Sequence, residues 1–273
     1  MQIFAVMEMI AYFAAAFIGI SLGLIGGGGS IITVPVLVYL FGINPLLATS
    51  YSLFIVGSTS LVGAINSYRQ NLVNIKAALL FGFSSITTVF LTRRFLIPAI
   101  PKHIGQVGSF EITANRLTMI LFAILMVLAA SAMIRTGNAN DRELTAGSRS
   151  LNLPKLFGYG IAIGLATGIL GAGGGFLLIP ALVLLVGLHI KEAVGTSLLI
   201  IALNSLIGFT GDLGHFTINW FFLLKITAIA VAGIFFGGML NKKIDGSKLK
   251  KGFGWFVLAM GSYIVIKELV LSS

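Results

Sequence analysis

The chain of 273 residues has no cysteine and only three histidines. The lack of cysteine excludes disulfides, thiol catalysis and thiolate metal sites. The histidines are far apart and form no His-x-x-x-His pair, so they do not predict a metal centre. We therefore expect neither a metal nor another cofactor.

Charge is also scarce, which excludes a soluble enzyme. Charged residues make up 10% of the chain, against about 25% in a typical soluble domain, and hydrophobic residues make up 57%. With a mean hydropathy of +1.04, the chain has too few polar side chains to cover a surface in water. The apolar runs show no two-residue period, so we predict an all-α integral membrane protein in a lipid bilayer rather than a β-barrel.

The net charge of +10 can be explained by the orientation of the chain in the membrane. In a soluble protein it would suggest nucleic acid as a partner. In a membrane protein, basic residues are retained on the cytoplasmic side and set the orientation of the chain. We predict no nucleic-acid partner.

Ten apolar segments lie between the polar stretches, and one long polar stretch divides the chain in two. The segments lie near residues 3–24, 30–42, 46–68, 75–95, 116–134, 155–170, 175–188, 191–211, 218–240 and 252–271. The polar stretch, residues 135–154, predicts a solvent-exposed linker. It separates a first transmembrane repeat, residues 1–134, from a second transmembrane repeat, residues 155–273.

An internal repeat relates the two halves. Shifting the sequence by 145 residues aligns GLIGGGGSIITVP (Gly23–Pro35) with GILGAGGGFLLIP (Gly168–Pro180) without a gap. Asn74 meets Asn219 at the same shift. Apolar composition alone can match leucines, but it does not align glycine runs, prolines and an asparagine, so we infer a duplication.

The glycine runs lie between apolar segments that are too short to cross a membrane alone. Segments 155–170 and 175–188 would reach about 21 to 24 Å as helices, less than the roughly 30 Å of a hydrocarbon core. We predict in each half a glycine-tipped helical hairpin that returns to its own face, or a pair of tilted broken helices. Irregular backbone at this depth requires surrounding protein or a watery cavity.

The distribution of positive charge favours inverted repeats. If each hairpin returns to its own face, or both of its arms cross, each half has an odd number of crossings. Twelve of the 18 Lys and Arg residues then share the face of the linker, and five lie on the other face. One continuous crossing at each glycine run would give parallel repeats and a weaker asymmetry. We therefore predict a cell-membrane protein with a cytoplasmic linker and both termini outside.

The glycine tips are the predicted substrate site. If a helix begins just after each run, near Ser30 and Phe176, its first amides and the positive end of its dipole face the tip and attract an anion. Two such tips that approach from opposite faces can hold one small anion near the midplane. The alternative is that the glycines only allow close helix packing. The predicted tip residues are Gly26, Gly27, Gly28, Gly29, Ser30, Gly171, Gly173, Gly174 and Gly175.

The third segment of each half is rich in polar side chains that can complete the shell of the anion. Asn44-Pro45 predicts the start of the first of these helices. The alternative role of the polar side chains is hydrogen bonding within the protein. The candidates are Thr49, Ser50, Ser52, Thr196, Ser197 and Asn204.

The register between these two segments has two solutions in the sequence. The shift of 145 residues pairs Ser52 with Ser197. A shift of two further residues pairs the dipeptide 49–50 with the dipeptide 196–197, both Thr-Ser. Both solutions remain open at the level of sequence.

A few charged residues lie in or near the apolar segments. Asp212 and Glu8 are candidates for coupling to a proton or sodium ion, because a carboxylate in a membrane is often a functional ion site. An interfacial position is the alternative for Asp212. Lys225 either snorkels to the surface or pairs with the anion. Arg93 and Arg94 are expected to be interfacial anchors.

The paired glycine motifs resemble those of the sulfite exporter TauE/SafE family. Each motif is followed by an Ala-x-x-Thr-Ser-like element, AVGTSLLI at 193–200 and the less regular ATSYSLFI at 48–55, where Tyr51 departs from the pattern. The resemblance covers about residues 10–270. It implies a cytoplasmic-membrane permease, often an exporter, for small sulfur-containing or organic anions such as sulfite and sulfonates.

These features favour a secondary transporter of a small anion, and the resemblance implies that the direction of transport is export. No ATP-binding motif follows the glycines, so the energy would come from the gradient of the anion or of a coupled proton or sodium ion. The alternatives are an anion channel without alternating access and a non-transporting membrane assembly factor. An enzyme is disfavoured because no nucleophile and base pair is visible. The sequence does not predict an oligomeric state.

Overall fold

The computed structural model describes residues 2–101, 103–107, 110–136, 153–241 and 246–268. The first half consists of α1 (Gln2–Ile25), a 3-10 helix (Gly26–Ile32), α2 (Thr33–Tyr39), α3 (Pro45–Arg69), α4 (Ile75–Leu91), a π-helical turn (Thr92–Leu96), α5 (Ile97–Ala99), β1 (His103–Val107), β2 (Phe110–Thr113) and α6 (Ala114–Thr136). The second half consists of α7 (Leu153–Leu170), α8 (Gly175–Ala181), a π-helical turn (Leu182–Val186), α9 (Ile190–Asp212), α10 (Trp220–Asn241) and α11 (Gly246–Ile266).

The predicted all-α membrane fold is confirmed. Five helices of the described residues are long and apolar enough to cross a membrane, namely Pro45–Arg69, Ile75–Ala99, Ala114–Ile134, Ile190–Asp212 and Trp220–Leu240. One antiparallel pair, β1 with β2, interrupts the helices and was not predicted from the sequence. Most of the predicted linker, residues 137–152, lies outside the described residues.

Asparagine side chains begin three of the membrane helices. The Asn44 side chain accepts a hydrogen bond from the Leu46 amide at 3.1 Å, with Pro45 in the first turn of α3, as the sequence predicted. Asn74 accepts from the Ala77 amide at 3.0 Å and begins α4. Asn219, the residue 145 positions later, accepts from the Phe222 amide at 3.1 Å and begins α10. The same cap therefore begins equivalent helices of the two halves.

Residues 145 positions apart make reciprocal contacts between the halves. The backbone amide of Asn74 donates to the Thr196 hydroxyl at 2.9 Å. The backbone amide of Asn219 donates to the Tyr51 hydroxyl at 2.7 Å. Asn74 and Asn219 are equivalent at this shift, as are Tyr51 and Thr196. This exchange of partners is what a two-fold relation produces, and it supports the ungapped register.

The first helix of each half packs along the fourth membrane segment of the other half. In α1, Gly19 lies against Ala230 of α10, and Gly23 lies against Ile234. In α7, Gly164 lies against Ser85 of α4, and Gly168 lies against Thr92. Both pairs of helices run parallel, and neither leaves room for a side chain at these glycines. Close helix packing, the alternative explanation for glycine, therefore accounts for this set.

Helices α3 and α9 are equivalent in the repeat and run antiparallel. Gly57 lies against Leu206, and Gly63 against Leu198, so the positions along α9 fall as those along α3 rise. The loops that follow α3 and α9 therefore lie at opposite ends of the bundle. The pair α6 and α11 is also antiparallel, since Gly254 lies against Met133 and Gly261 lies against Met126.

Candidate functional site

The two glycine runs meet inside the protein. A Cβ atom on Gly27 would lie 2.6 Å from the Gly175 Cα, so the two backbones are in direct contact. The Ser30 hydroxyl donates to the Gly27 carbonyl at 2.8 Å and also to the Ala172 carbonyl of the opposite run. The structure thus brings together the two runs that the sequence predicted to form one site. An anion held between Gly27 and Gly175 requires the runs to separate at this point.

Left-handed backbone at both runs explains the need for glycine. Gly26 has φ +68°, and the equivalent Gly171 has φ +67°, a region that other residues rarely adopt. A Cβ on Gly26 would lie 2.8 Å from Val194 Cγ1, and one on Gly171 would lie 2.7 Å from Thr49 Cα. Val194 and Thr49 are themselves 145 positions apart, so these contacts are also reciprocal.

The two runs differ after this shared bend. Gly173 and Gly174 are also left-handed, which ends the turn, and α8 begins at Gly175, one residue from the predicted start. In the first run Gly26 is the left-handed residue, and the chain continues as a 3-10 helix through Gly28 and Gly29. The second α-helix of that half therefore begins at Thr33, and the predicted start near Ser30 is wrong.

The second run reaches the middle of the two antiparallel helices. A Cβ on Gly173 would lie 2.8 Å from Val56 Cγ1 and 3.1 Å from Ile201 Cγ2. Val56 and Ile201 are fully buried, lie near the centres of α3 and α9, and are equivalent in the repeat. The irregular backbone is therefore enclosed by protein at mid-length of two helices that can cross a membrane, as the hydrogen-bonding needs of that backbone demand.

Of the predicted hydroxyls, Ser52 touches a glycine run directly. Its Oγ donates to the Gly171 carbonyl at 2.8 Å. The equivalent Ser197 instead donates to Val194 of its own helix at 2.8 Å. Thr196 accepts from the Asn74 amide, so its contact joins the two halves. The hydroxyls of Ser197 and Thr196 therefore make hydrogen bonds within the protein, which is the structural role given above as the alternative to substrate binding.

Several buried polar atoms have no hydrogen-bond partner among the described residues. Asn204 Nδ2 donates to Ser85 Oγ at 2.6 Å, but its Oδ1 accepts no bond. The hydroxyls of Ser50 and Ser205 are also unpartnered, and Ser205 Oγ would be 3.4 Å from a Cβ on Gly173. Unpartnered polar atoms are rare in protein interiors, so those next to the glycine runs are candidates to bind a ligand or water.

An ion pair that the sequence did not predict lies beside the second run. Arg93 Nη1 lies 3.2 Å from Asp212 Oδ2 and donates to Thr49 Oγ1 at 3.0 Å, and both charged side chains are 0% exposed. The expectation that Arg93 is an interfacial anchor is therefore wrong. Arg93 can face α9 because Gly211 of that helix has no side chain. A Cβ atom on Gly211 would lie only 3.0 Å from the Arg93 Cβ. The neighbouring Arg94 is exposed, with Nη1 3.3 Å from His215 Nε2.

The remaining charged candidates lie away from the glycine runs or outside the description. Lys225 Nζ contacts the Tyr12 hydroxyl and lies 4.3 Å from the centre of its ring. The side chain of Glu8 lies outside the described part of the chain. No group of three or more His, Cys, Asp or Glu residues in the described ranges is arranged to hold a metal.

Comparison with known proteins gives the family. The sequence model of the sulfite exporter TauE/SafE family matches residues 11–264. The chain belongs to this family. A probable membrane transporter protein of Xylella fastidiosa (strain Temecula1) is 28% identical to this TauE/SafE chain, with 92% of each chain covered. The probable membrane transporter protein YunE of Bacillus subtilis (strain 168) is also 28% identical, covering 81% of this chain and 82% of the relative.

The relatives agree on the general activity. A probable membrane transporter protein of Haemophilus influenzae is 25% identical and covers 95% of this chain and 98% of its own length. No solved structure matches the chain. The match of the TauE/SafE family along the chain, with membrane-length helices, establishes a multi-pass membrane transporter.

Proposed function

We propose that this TauE/SafE protein is a secondary transporter that exports a small oxyanion such as sulfite, a sulfonate or a related organic acid. The observation that carries the proposal is the contact between the two glycine runs, Gly26–Ser30 and Gly171–Gly175, at mid-length of α3 and α9. Glycine lets a ligand approach the backbone closely, and at the second run, where α8 begins at Gly175, the first amides of the helix favour negative charge. Ser52 donates to the Gly171 carbonyl, and Asn204, one turn along α9 from Ile201, has a buried oxygen without a partner among the described residues; both would complete a polar shell.

The transporter would consist of two inverted repeats, residues 1–134 and 155–273, joined by the linker 135–154. The reciprocal contacts between residues 145 positions apart support a two-fold relation. Because the equivalent helices α3 and α9 run antiparallel, the axis of such a relation would be perpendicular to them and would lie in the membrane plane. With most Lys and Arg residues on the linker side, the linker would be cytoplasmic and both termini outside.

The contact between Gly27 and Gly175 favours a carrier over a permanently open anion channel. In the present conformation the two backbones touch, so a continuous pore cannot pass between them at this point. Movement of one repeat against the other would part the runs and expose them to one face at a time. Voltage-clamp currents far above the turnover of a carrier would contradict this and favour the channel.

The substrate class is tested by a thermal-shift screen of the purified protein. The ligand panel is sulfite, sulfate, thiosulfate, methanesulfonate and small carboxylates, with potassium chloride at equal ionic strength as the control. A bound ligand stabilises the folded state by mass action, so even millimolar affinity raises Tm at high concentration. A rise confined to one or more of the oxyanions supports the proposal. No rise with any anion would contradict it and favour a membrane assembly factor.

A further inference from the structure

The Arg93–Asp212 ion pair breaks the two-fold relation of the halves. At the shift of 145 residues, Arg93 is equivalent to Gly238, and Asp212 is equivalent to Ser67. Neither of these equivalents is charged. The pair therefore belongs to one half of the site, next to the second glycine run, and the duplicated architecture does not require it.

Stability does not explain why these charges are buried. Both side chains are 0% exposed and lie between helices that can cross a membrane. Removing two charges from water costs about as much as their attraction returns, so a buried ion pair adds little to the free energy of folding. Ionisable residues in such positions mark the pathway of a substrate or an ion.

The guanidinium of Arg93 has one edge occupied and one edge free. Nη1 is bound to Asp212 Oδ2 and Thr49 Oγ1. Nε and Nη2 have no hydrogen-bond partner among the described residues. These two nitrogens form the fork that binds two oxygens of one carboxylate, phosphate or similar oxyanion. The free edge of Arg93 is thus chemically matched to two oxygens of a sulfonate or sulfite.

The carboxylate side of the pair also has a free atom. Asp212 Oδ1 has no hydrogen-bond partner of good geometry in the described part of the chain, although the Ser50 hydroxyl lies close enough to interact with the Asp212 carboxylate. Two further titratable or charged side chains of the described residues lie at this end, namely His215, in the loop after α9, and Arg94, which lies against His215. The facing residues of α3, Thr49 and Ser50, are uncharged.

The pair is connected to the glycine run by Thr49. Its Oγ1 accepts from Arg93, while its Cα lies 2.7 Å from where a Cβ on Gly171 would be. Ser52, one turn further along α3, donates to the Gly171 carbonyl at 2.8 Å. One helical turn of α3 therefore contacts both the guanidinium and the glycine backbone, which places the ion pair next to the second run.

We propose that Arg93 binds the transported oxyanion through Nε and Nη2, and that Asp212 takes up a proton together with it. The inference rests on the proposed function and adds the charged ligand and the coupled ion. The empty pair is neutral, and an added anion alone would leave one uncompensated negative charge in the interior, which is costly. A proton from solution, bound on Asp212 Oδ1, restores neutrality. The proton forms an O–H bond on Asp212 when the anion binds and returns to solution when the anion leaves, and no other covalent bond changes.

Methanesulfonate is the probe for this site because it remains an anion across the working pH range, so every proton taken up belongs to the protein. Its binding to the purified full-length protein is measured by calorimetry in buffers of different ionisation enthalpy, which gives the number of protons bound. The wild type is expected to take up about one proton per anion at neutral pH. Arg94→Gln, an exposed neighbour of Arg93, and Glu192→Gln, an acid at the other end of α9, are the matched controls and should behave as the wild type.

The variants separate the two roles. Asp212→Asn should still bind methanesulfonate but without proton uptake, because the anion now meets an unneutralised guanidinium. Arg93→Gln/Asp212→Asn removes both charges together, so it leaves no unpaired buried charge. Its affinity should fall by roughly tenfold or more, since hydrogen bonds to a charged donor are lost.

Each contrary result has one meaning. If the double variant binds as tightly as the wild type, Arg93 is not the ligand. If Asp212→Asn still takes up one proton per anion, Asp212 is not the proton acceptor. Either result overturns this inference while the proposed function stands. If the wild type binds neither methanesulfonate nor sulfite, the proposed substrate class itself is wrong and this inference falls with it.

Discussion

The hydroxyl of Tyr51 accepts a hydrogen bond from the backbone amide of Asn219, 168 residues away in the sequence, at 2.7 Å. Thr196, the repeat equivalent of Tyr51, does the same for the amide of Asn74 at 2.9 Å. A tyrosine thus replaces a threonine and keeps the bond. The position where the first half departs from the Thr-Ser pattern of the family has retained the contact that joins the halves.

Removal of either hydroxyl should destabilise the protein. Tyr51→Phe and Thr196→Val each leave a backbone amide without its partner, which costs about 1–3 kcal/mol when the group is shielded from water. We expect a lower Tm for both variants in detergent, measured by differential scanning fluorimetry. Tyr159→Phe, which removes the hydroxyl of an exposed tyrosine on α7, is the control and should leave Tm unchanged. An unchanged Tm in both test variants would show that these bonds do not hold the halves together.

The glycines of the parallel helix pairs should tolerate no side chain. A Cβ on Gly164 would lie 2.7 Å from the Ser85 carbonyl oxygen, and one on Gly233 would lie 2.6 Å from the Ala16 carbonyl oxygen. Gly164→Leu must push α7 away from α4, and Gly233→Leu must push α10 away from α1. The atoms in the way belong to the backbone, which cannot move aside as the end of a flexible side chain can. We expect loss of the monodisperse peak in size-exclusion chromatography.

The control for these substitutions lies on the same helices. A Cβ at Gly158 of α7 or Gly238 of α10 would meet nothing within 4 Å. Gly158→Leu and Gly238→Leu should therefore elute as the wild type. Equal behaviour of the test and control variants would contradict the packing described for these helices.

Inverted and parallel repeats differ in where two loops lie. Gln70, after α3, and Thr217, after α9, are both exposed and lie at opposite ends of the antiparallel pair. The chain has no cysteine, so Gln70→Cys and Thr217→Cys each create a single labelling site. A membrane-impermeant maleimide added to intact cells should label Thr217→Cys, whereas Gln70→Cys should react only after permeabilisation.

The same labelling tests the alternative. Parallel repeats would place these two equivalent loops on one face, and both cysteines would then react alike. Labelling of Gln70→Cys alone in intact cells would keep the inverted relation but reverse the orientation, with the linker outside.

The sequence predicted the helical membrane fold because the signals for the helices are local. Glycine runs, apolar lengths and asparagine caps give the segments, and the shift of 145 residues gives the equivalence of the halves. The start of the second helix of the first half was predicted three residues too early. Its run contains the same kinds of residue as the second run, but only the structure shows that left-handed glycines end the turn in one run and a 3-10 helix continues in the other.

The buried ion pair escaped prediction because it depends on which faces of two helices meet. A signal was present in the four-residue spacing. On α4 and the turn after it, Ser85, Val89 and Arg93 face one partner helix, and they meet Asn204, Gly208 and Asp212 of α9 in the same order. Each contact joins residues 119 positions apart. The sequence alone does not show that α4 packs parallel to α9. It therefore cannot tell which of the two adjacent arginines, Arg93 or Arg94, is buried and which is exposed.

Transport of a small oxyanion through the glycine runs is tested most directly by flux of radiolabelled sulfite into proteoliposomes. The variants Gly27→Ala and Gly175→Ala place a methyl group where the backbones of the two runs meet, at positions without left-handed strain. Gly158→Ala, whose added Cβ meets nothing within 4 Å, is the matched control. We predict saturable sulfite flux by the wild type and the control, and a loss of roughly tenfold or more in both variants of the runs, given that about an ångström of misplacement can cost two orders of magnitude in rate. Undiminished flux through folded Gly27→Ala and Gly175→Ala proteins would contradict the account.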